Sequence, residues 1–222
     1  MESPDEHQIQ AQLVYQRLLD YFGLPIWQTA LSPVDELVST ILSQNTNDHN
    51  RDVAFDRLKL AFPTWEAVRD SDPQAVVDSI RPAGLANQKA PRIQNVLKEI
   101  SAERGDLDLS FLKGIPVDEA RTWLMHFNGV GPKTAAIVLQ FSLDSPAFPV
   151  DTHIYRVSGR LGLRPDKLTV EQAHPYLAGL FDPATYGPAH LNLIRLGREI
   201  CHARKPDCPH CPLNDVCPAK RI

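Results

Sequence analysis

The stretch FNGVGPKTAAIVL, residues 127–139, sets two glycines and a proline between apolar patterns. Asn128, Gly129 and Gly131 are residues that end a helix. Pro132 can only begin one, because its missing N–H is harmless in a first turn. The reading is helix, tight glycine turn, helix. Such a turn gathers unpaired backbone N–H groups at Gly129, Val130 and Gly131, beside the positive end of the second helix. Those donors would hold a phosphate without reading base sequence. An ordinary αα-hairpin carries the same signature, so the stretch alone speaks to structure more than to chemistry.

Lys133 falls in the first turn of that second helix. The helix's positive end disfavours a charged amine there and lowers its expected pKa. The position is poor for stability and useful for an amine nucleophile. Eighteen residues later, FPVDTHIYRV (148–157) puts Asp151 ahead of another helix. Its plainest role is N-cap. A cap also holds a carboxylate rigidly, so a catalytic role is compatible with it.

Outward from these motifs the periodicity is helical nearly everywhere. Ile9, Leu13, Val14, Leu18 and Phe22 form a 3.6-period stripe ended by Gly23 and Pro25. Ser32-Pro33 reads as a cap and first helical position for Val34, Leu37, Val38, Ile41 and Leu42. Asp72-Pro73 opens a short helix. Further helical patterns cover about 88–100, 117–127, 132–143, 152–161, 170–180 and 188–200. Alternating strand patterns of any length are absent, which predicts an all-α protein of about ten helices.

All four cysteines lie in CHARKPDCPHCPLNDVC, residues 201–217, spaced C-x6-C-x2-C-x5-C at Cys201, Cys208, Cys211 and Cys217. Residues 1–30 hold no apolar segment after a basic start, and no apolar run approaches a membrane span. The expectation is a cytoplasmic, reducing setting without membrane contact, where structural disulfides are rare. Metal remains. Structural zinc sites usually pair their ligands in two short hooks. Here only Cys208 and Cys211 form one, so spacing leans towards an iron–sulfur cluster without deciding it.

The chain's net charge of −4 gives no hint of nucleic acid, but its distribution is uneven. Residues 1–50 carry Arg17 against seven acidic residues; residues 151–222 carry ten basic against seven acidic. Arg204 and Lys205 stand among the cysteines.

Taken together, GVGPKTA, VDTHIYRV at an 18-residue lysine-to-aspartate interval, and the cysteine pattern resemble the endonuclease III family, over roughly residues 33–217. These are DNA glycosylase/AP lyases of the helix–hairpin–helix superfamily. The resemblance implies a two-domain all-α fold: a six-helix domain at 34–145, and a cluster domain from 1–33 and 146–222. It implies a 4Fe–4S cluster on Cys201, Cys208, Cys211 and Cys217. Lys133 resembles the family's Schiff-base lysine and Asp151 its catalytic aspartate. GLANQKA (84–90) resembles the loop whose leucine, here Leu85, wedges into the duplex. LSQNTND (42–48) resembles the segment whose polar side chain fills the space left by a flipped base, with Asn45 at the family's glutamine position and Gln44 just before it. Arg204 and Lys205 would meet phosphates.

The function implied is base-excision repair, by a monomer acting on double-stranded DNA with damaged bases or abasic sites. It would excise oxidised pyrimidines and cut the abasic strand by β-elimination, nucleoid-associated when bound. Met125 stands where relatives often carry an acidic residue, and Phe127-Asn128 replaces the usual Leu-Pro, departures that bear on the lesion preferred. The rivals are a mismatch glycosylase acting on T or U opposite G, which commonly lacks the lysine, and a catalytically silent DNA-binding module. A zinc-stabilised helical adaptor is a third, and it would be colourless.

Overall fold

The structure, a computed structural model, describes residues 4–26 and 31–220. The backbone divides into two compact units, Ala30–Ser145, and Met1–Thr29 with Pro146–Ile222. Among the described residues the regular elements are all helical, eleven of them α-helices. None is long and apolar enough to cross a membrane.

In unit two of the pair, Met1–Thr29 with Pro146–Ile222, the first helix is α1 (Pro4–Phe22). The other unit follows it in the chain. Its helix α2 (Pro33–Leu42) starts as expected, with the Ser32 hydroxyl accepting from the Asp35 N–H at 3.2 Å. α2 is buried on nearly every side, from Val34 to Leu42, which makes it the unit's central helix. Around it come α3 (Asp48–Ala61), α4 (Trp65–Asp70), α5 (Pro73–Ser79), α6 (Ala86–Arg104), α7 (Val117–Met125) and α8 (Pro132–Ile137). The unit has seven α-helices among the described residues, with Ser71-Asp72 separating α4 from α5. α8 runs on into a π-turn at Val138–Ser142. α2 packs against α3, α6 and α8.

The other unit adds α9 (Thr152–Arg160), α10 (Val170–Ala178) and α11 (Tyr186–Glu199) to α1. Its core joins Val14 and Leu18 to Ile154, Val157, Leu193 and Leu196. The Phe148 ring stacks on Phe181 at 5.1 Å. α9 and α11 pack closely at Gly197, where a Cβ would come within 2.9 Å of the His153 Cβ. The apolar face of α1 is rotated from the expected stripe. Ala11, Val14 and Leu18 are inside, whereas Ile9 is 70% exposed and Leu13 39%.

Candidate active site and metal centre

The turn between α7 and α8 is shaped by Gly129, whose φ of +91° lies in the left-handed region that favours glycine. The N–H of Val130 bonds the Phe127 carbonyl at 3.0 Å, and Ala135 N–H bonds Gly131 at 3.0 Å. A Cβ on Gly129 would fall 2.1 Å from Cδ of Arg92. That arginine, on α6, donates from Nη1 to Oε1 of Gln44 at 2.6 Å. Gln44 in turn donates from Nε2 to the Gly129 carbonyl at 3.2 Å. The glutamine is thus a brace between α6 and the hairpin. Gly131 is the opposite case: a Cβ there would meet nothing within 4 Å. Lys133 follows in the first turn of α8, half-buried.

Two more candidate residues of this unit share an unusual backbone. Asn45 has φ +53° and Leu85 φ +50°, a region costly for residues with a side chain. Asn45 is exposed. Leu85, at the N-cap of α6, presents a large apolar side chain that is 46% exposed. One turn into α6, Lys89 is 1% exposed. Its Nζ donates to the carbonyls of Leu42 at 2.7 Å and Ala83 at 2.8 Å. Burial, and then the charge of Arg92, hold this amine below the ordinary lysine range.

Asp151 belongs to the other unit. Its Oδ1 accepts from the Ile154 N–H at 2.7 Å, the N-cap of α9. The segment leading into it is pinned from two sides. Nδ1 of His174 bonds the Phe148 carbonyl at 3.2 Å, and Nδ1 of His190 bonds the Pro149 carbonyl at 2.9 Å. A carbonyl only accepts, so Nδ1 carries the proton in both rings. Both histidines are buried.

The four cysteines, all partly buried, line one cavity of about 240 Å³ with Arg160 and Leu161 on its wall. Among the described residues no group of three or more His, Cys, Asp or Glu is placed to hold a single metal ion. A roomy four-cysteine cavity fits a cluster of several atoms instead. Burial, then the neighbouring thiols, push Cys211 and Cys217 above the ordinary thiol range, with backbone N–H groups working against the rise. The Arg160 guanidinium lies 3.3 Å from Sγ of Cys201 and bonds the carbonyls of His202 and Ala203. Arg204 and Lys205 are exposed on the same loop.

Residues 38–183 match the HhH-GPD superfamily of base excision DNA repair proteins, and residues 201–217 match the iron–sulfur binding domain of endonuclease III. Endonuclease III of Sulfolobus acidocaldarius is 36% identical over 183 residues, 82% of this chain and 79% of its own. This chain belongs to the endonuclease III family. It is accordingly a DNA glycosylase of base-excision repair that binds an iron–sulfur cluster. Among solved structures, a trapped endonuclease III–DNA covalent intermediate superposes with a TM-score of 0.81 at 26% identity, covering 99% of this chain and 97% of that one. An Arabidopsis thaliana protein named as a candidate DNA glycosylase is 45% identical over 134 residues, 60% of this chain; the chain spans only 46% of that relative's length.

Within this endonuclease III relative, Gln44, Asn45, Leu85, Gly129, Val130, Gly131 and Lys133 all sit in one unit. Asp151, Arg204, Lys205 and the four cysteines sit in the other. Sequence reading missed Lys89, Arg92, His174 and His190. A lysine and an arginine three apart on a polar helix look like surface residues. Only the partners, up to 48 positions away in sequence, reveal otherwise.

Proposed function

We propose that this endonuclease III family member is a bifunctional DNA glycosylase, removing oxidised pyrimidines from double-stranded DNA and then cutting the strand. The observation that carries the reading is the position of Lys133, a half-buried amine in the first turn of α8, directly after the glycine hairpin. A base inside a duplex is out of reach, so the nucleotide must be extruded, at a cost of a few kcal/mol. Leu85 occupies the vacated stack as a wedge, and exposed Asn45 offers polar contact beside it. The backbone at Gly129 and Gly131 takes a phosphate, but not through the Val130 N–H, which the turn itself uses on the Phe127 carbonyl.

The lone pair of the Lys133 amine then forms a bond to the anomeric carbon while the glycosidic bond breaks, its electrons leaving with the base. To Asp151 we assign the stabilisation of the positive charge that develops on the sugar. The amine nitrogen then gives up a proton to water. The C1′–O4′ bond breaks as C1′ and the nitrogen form an imine, O4′ taking a proton. That imine acidifies the neighbouring C2′ hydrogen. Loss of that proton expels the 3′ phosphate, and water then frees the lysine. The trapped covalent intermediate of an endonuclease III of 26% identity supports a mechanism in which protein and DNA become covalently joined.

Cys201, Cys208, Cys211 and Cys217 would hold a 4Fe–4S cluster, whose iron–thiolate bonds fix the loop carrying Arg204 and Lys205 against DNA. The protein works as a monomer in the cytoplasm. A panel of duplexes tests the reading: oxidised pyrimidines, T or U opposite G, and an abasic site, with base release and strand cutting scored separately. The expected result is release and cutting together on oxidised pyrimidines. Release of T or U opposite G with the strand left whole would favour the mismatch glycosylase instead.

A further inference from the structure

Lys89 is a charged group in the interior of the Ala30–Ser145 unit. Burying an ammonium is costly unless its donors are satisfied, and a methionine would fill the same space without that cost. Its two acceptors are informative. The Leu42 carbonyl closes α2 two residues before Gln44, and the Ala83 carbonyl lies two residues before Leu85. One amine therefore sets the distance between the two main chains that lead into the proposed gap-filling and wedging loops. Three residues on, and so on the same face of α6, Arg92 bonds Gln44 and lies against Gly129 of the hairpin.

The loops so held are strained ones. Asn45 and Leu85 both adopt positive φ, a conformation that persists only where the surroundings over-determine it. Both lie within three residues of a Lys89 acceptor. The bland alternative is a lysine that merely stabilises the fold. It does not explain why both acceptors belong to the roots of these two loops, nor why Arg92 ties the third DNA-facing segment to the same helix face.

We infer that Lys89 and Arg92 are positioning residues that mount the wedge Leu85, the Gln44–Asn45 loop and the glycine hairpin in fixed register on α6. The inference rests on the wedge role proposed above. Lys89 itself touches no DNA, since its amine is enclosed and both carbonyls engage it. It acts through Leu85, and its influence falls on base extrusion rather than on bond breaking.

The test uses the full-length protein and the lesion duplex that it processes fastest, with 2-aminopurine beside the lesion to report unstacking in stopped flow. Lys89→Met should slow unstacking about ten- to a hundredfold, the range expected for displacement of a positioned group by an ångström. Strand cutting at a pre-formed abasic site, where no base is unstacked, should stay close to wild type. Combining Lys89→Met with Leu85→Ala should cost no more than Leu85→Ala alone, because both act through one side chain. Effects that multiply, or an equal loss on the abasic duplex, would overturn the mount. If Lys89→Met fails to fold, Arg92→Lys carries the same comparison. Unchanged unstacking in Leu85→Ala would contradict the wedge itself. Slow unstacking in Leu85→Ala with normal unstacking in Lys89→Met would contradict only the mount.

Discussion

Asp151 has two jobs that a single substitution can separate. As the N-cap of α9 it accepts one backbone N–H, and an asparagine can do the same. As a carboxylate it would stabilise charge on the sugar, and an asparagine cannot. Asp151→Asn should therefore slow base excision about 10²–10³-fold. Its melting temperature should stay near wild type, and some cutting of a pre-formed abasic site should survive. A cap with no catalytic role predicts little change in rate. Glu36 provides a test of a different kind. It is 8% exposed on α2, and burial pushes its carboxyl above the usual range, against the Thr40 hydroxyl that donates to it at 3.3 Å. A raised carboxyl favours the folded state at low pH and opposes it once ionised. Glu36→Gln should thus be more stable than wild type at pH 7. The advantage should close as pH falls through the folded pKa towards the ordinary value of 4.5. Thermal melts of both proteins across that range check it, and an advantage that grows on acidification would contradict it.

At the scale of elements, the two hairpin glycines should behave differently. Gly129→Ala meets Arg92 at 2.1 Å in a left-handed conformation, so it should lose about 1–2 kcal/mol from the backbone alone. Gly131→Ala has open space around its Cβ and should fold normally. It should nonetheless weaken DNA binding, because that methyl stands where the phosphate approaches. Denaturation and binding isotherms of the two variants separate these effects. The same hairpin shows what a sequence can disclose. Pro132 and the glycines announce the turn, since their constraints are local. Ser32-Pro33 and Asp151 announce helix starts for the same reason. α3 starts on a cap as well, Asn47 accepting from the Asn50 N–H at 2.9 Å, but only Ala54 and Leu58 of its 14 residues are buried, so no apolar stripe follows the cap. Ile9 was misplaced because a stripe predicts a period but not which of two overlapping faces turns inwards. The metal centre was legible because its chemistry follows a motif: the four cysteines of 201–217 line one cavity. The site was hidden where a side chain serves distant backbone, as at Lys89, Arg92, His174 and His190.

For the whole molecule, the net charge of −4 would oppose DNA were it spread evenly. Arg204 and Lys205, exposed on the cysteine loop, are the local exception. Changing both to alanine should weaken binding to all duplexes alike and flatten the dependence of log K on log salt by about two. Loss confined to one lesion would show that they read the lesion rather than the backbone. The central claim concerns a bond between protein and DNA. Borohydride reduces an imine to a stable amine, so wild-type protein turning over an abasic duplex in its presence should become covalently joined to the strand. Lys133→Gln should bind the same duplex and yield no adduct. Undiminished adduct from Lys133→Gln would contradict the assignment of Lys133 as nucleophile.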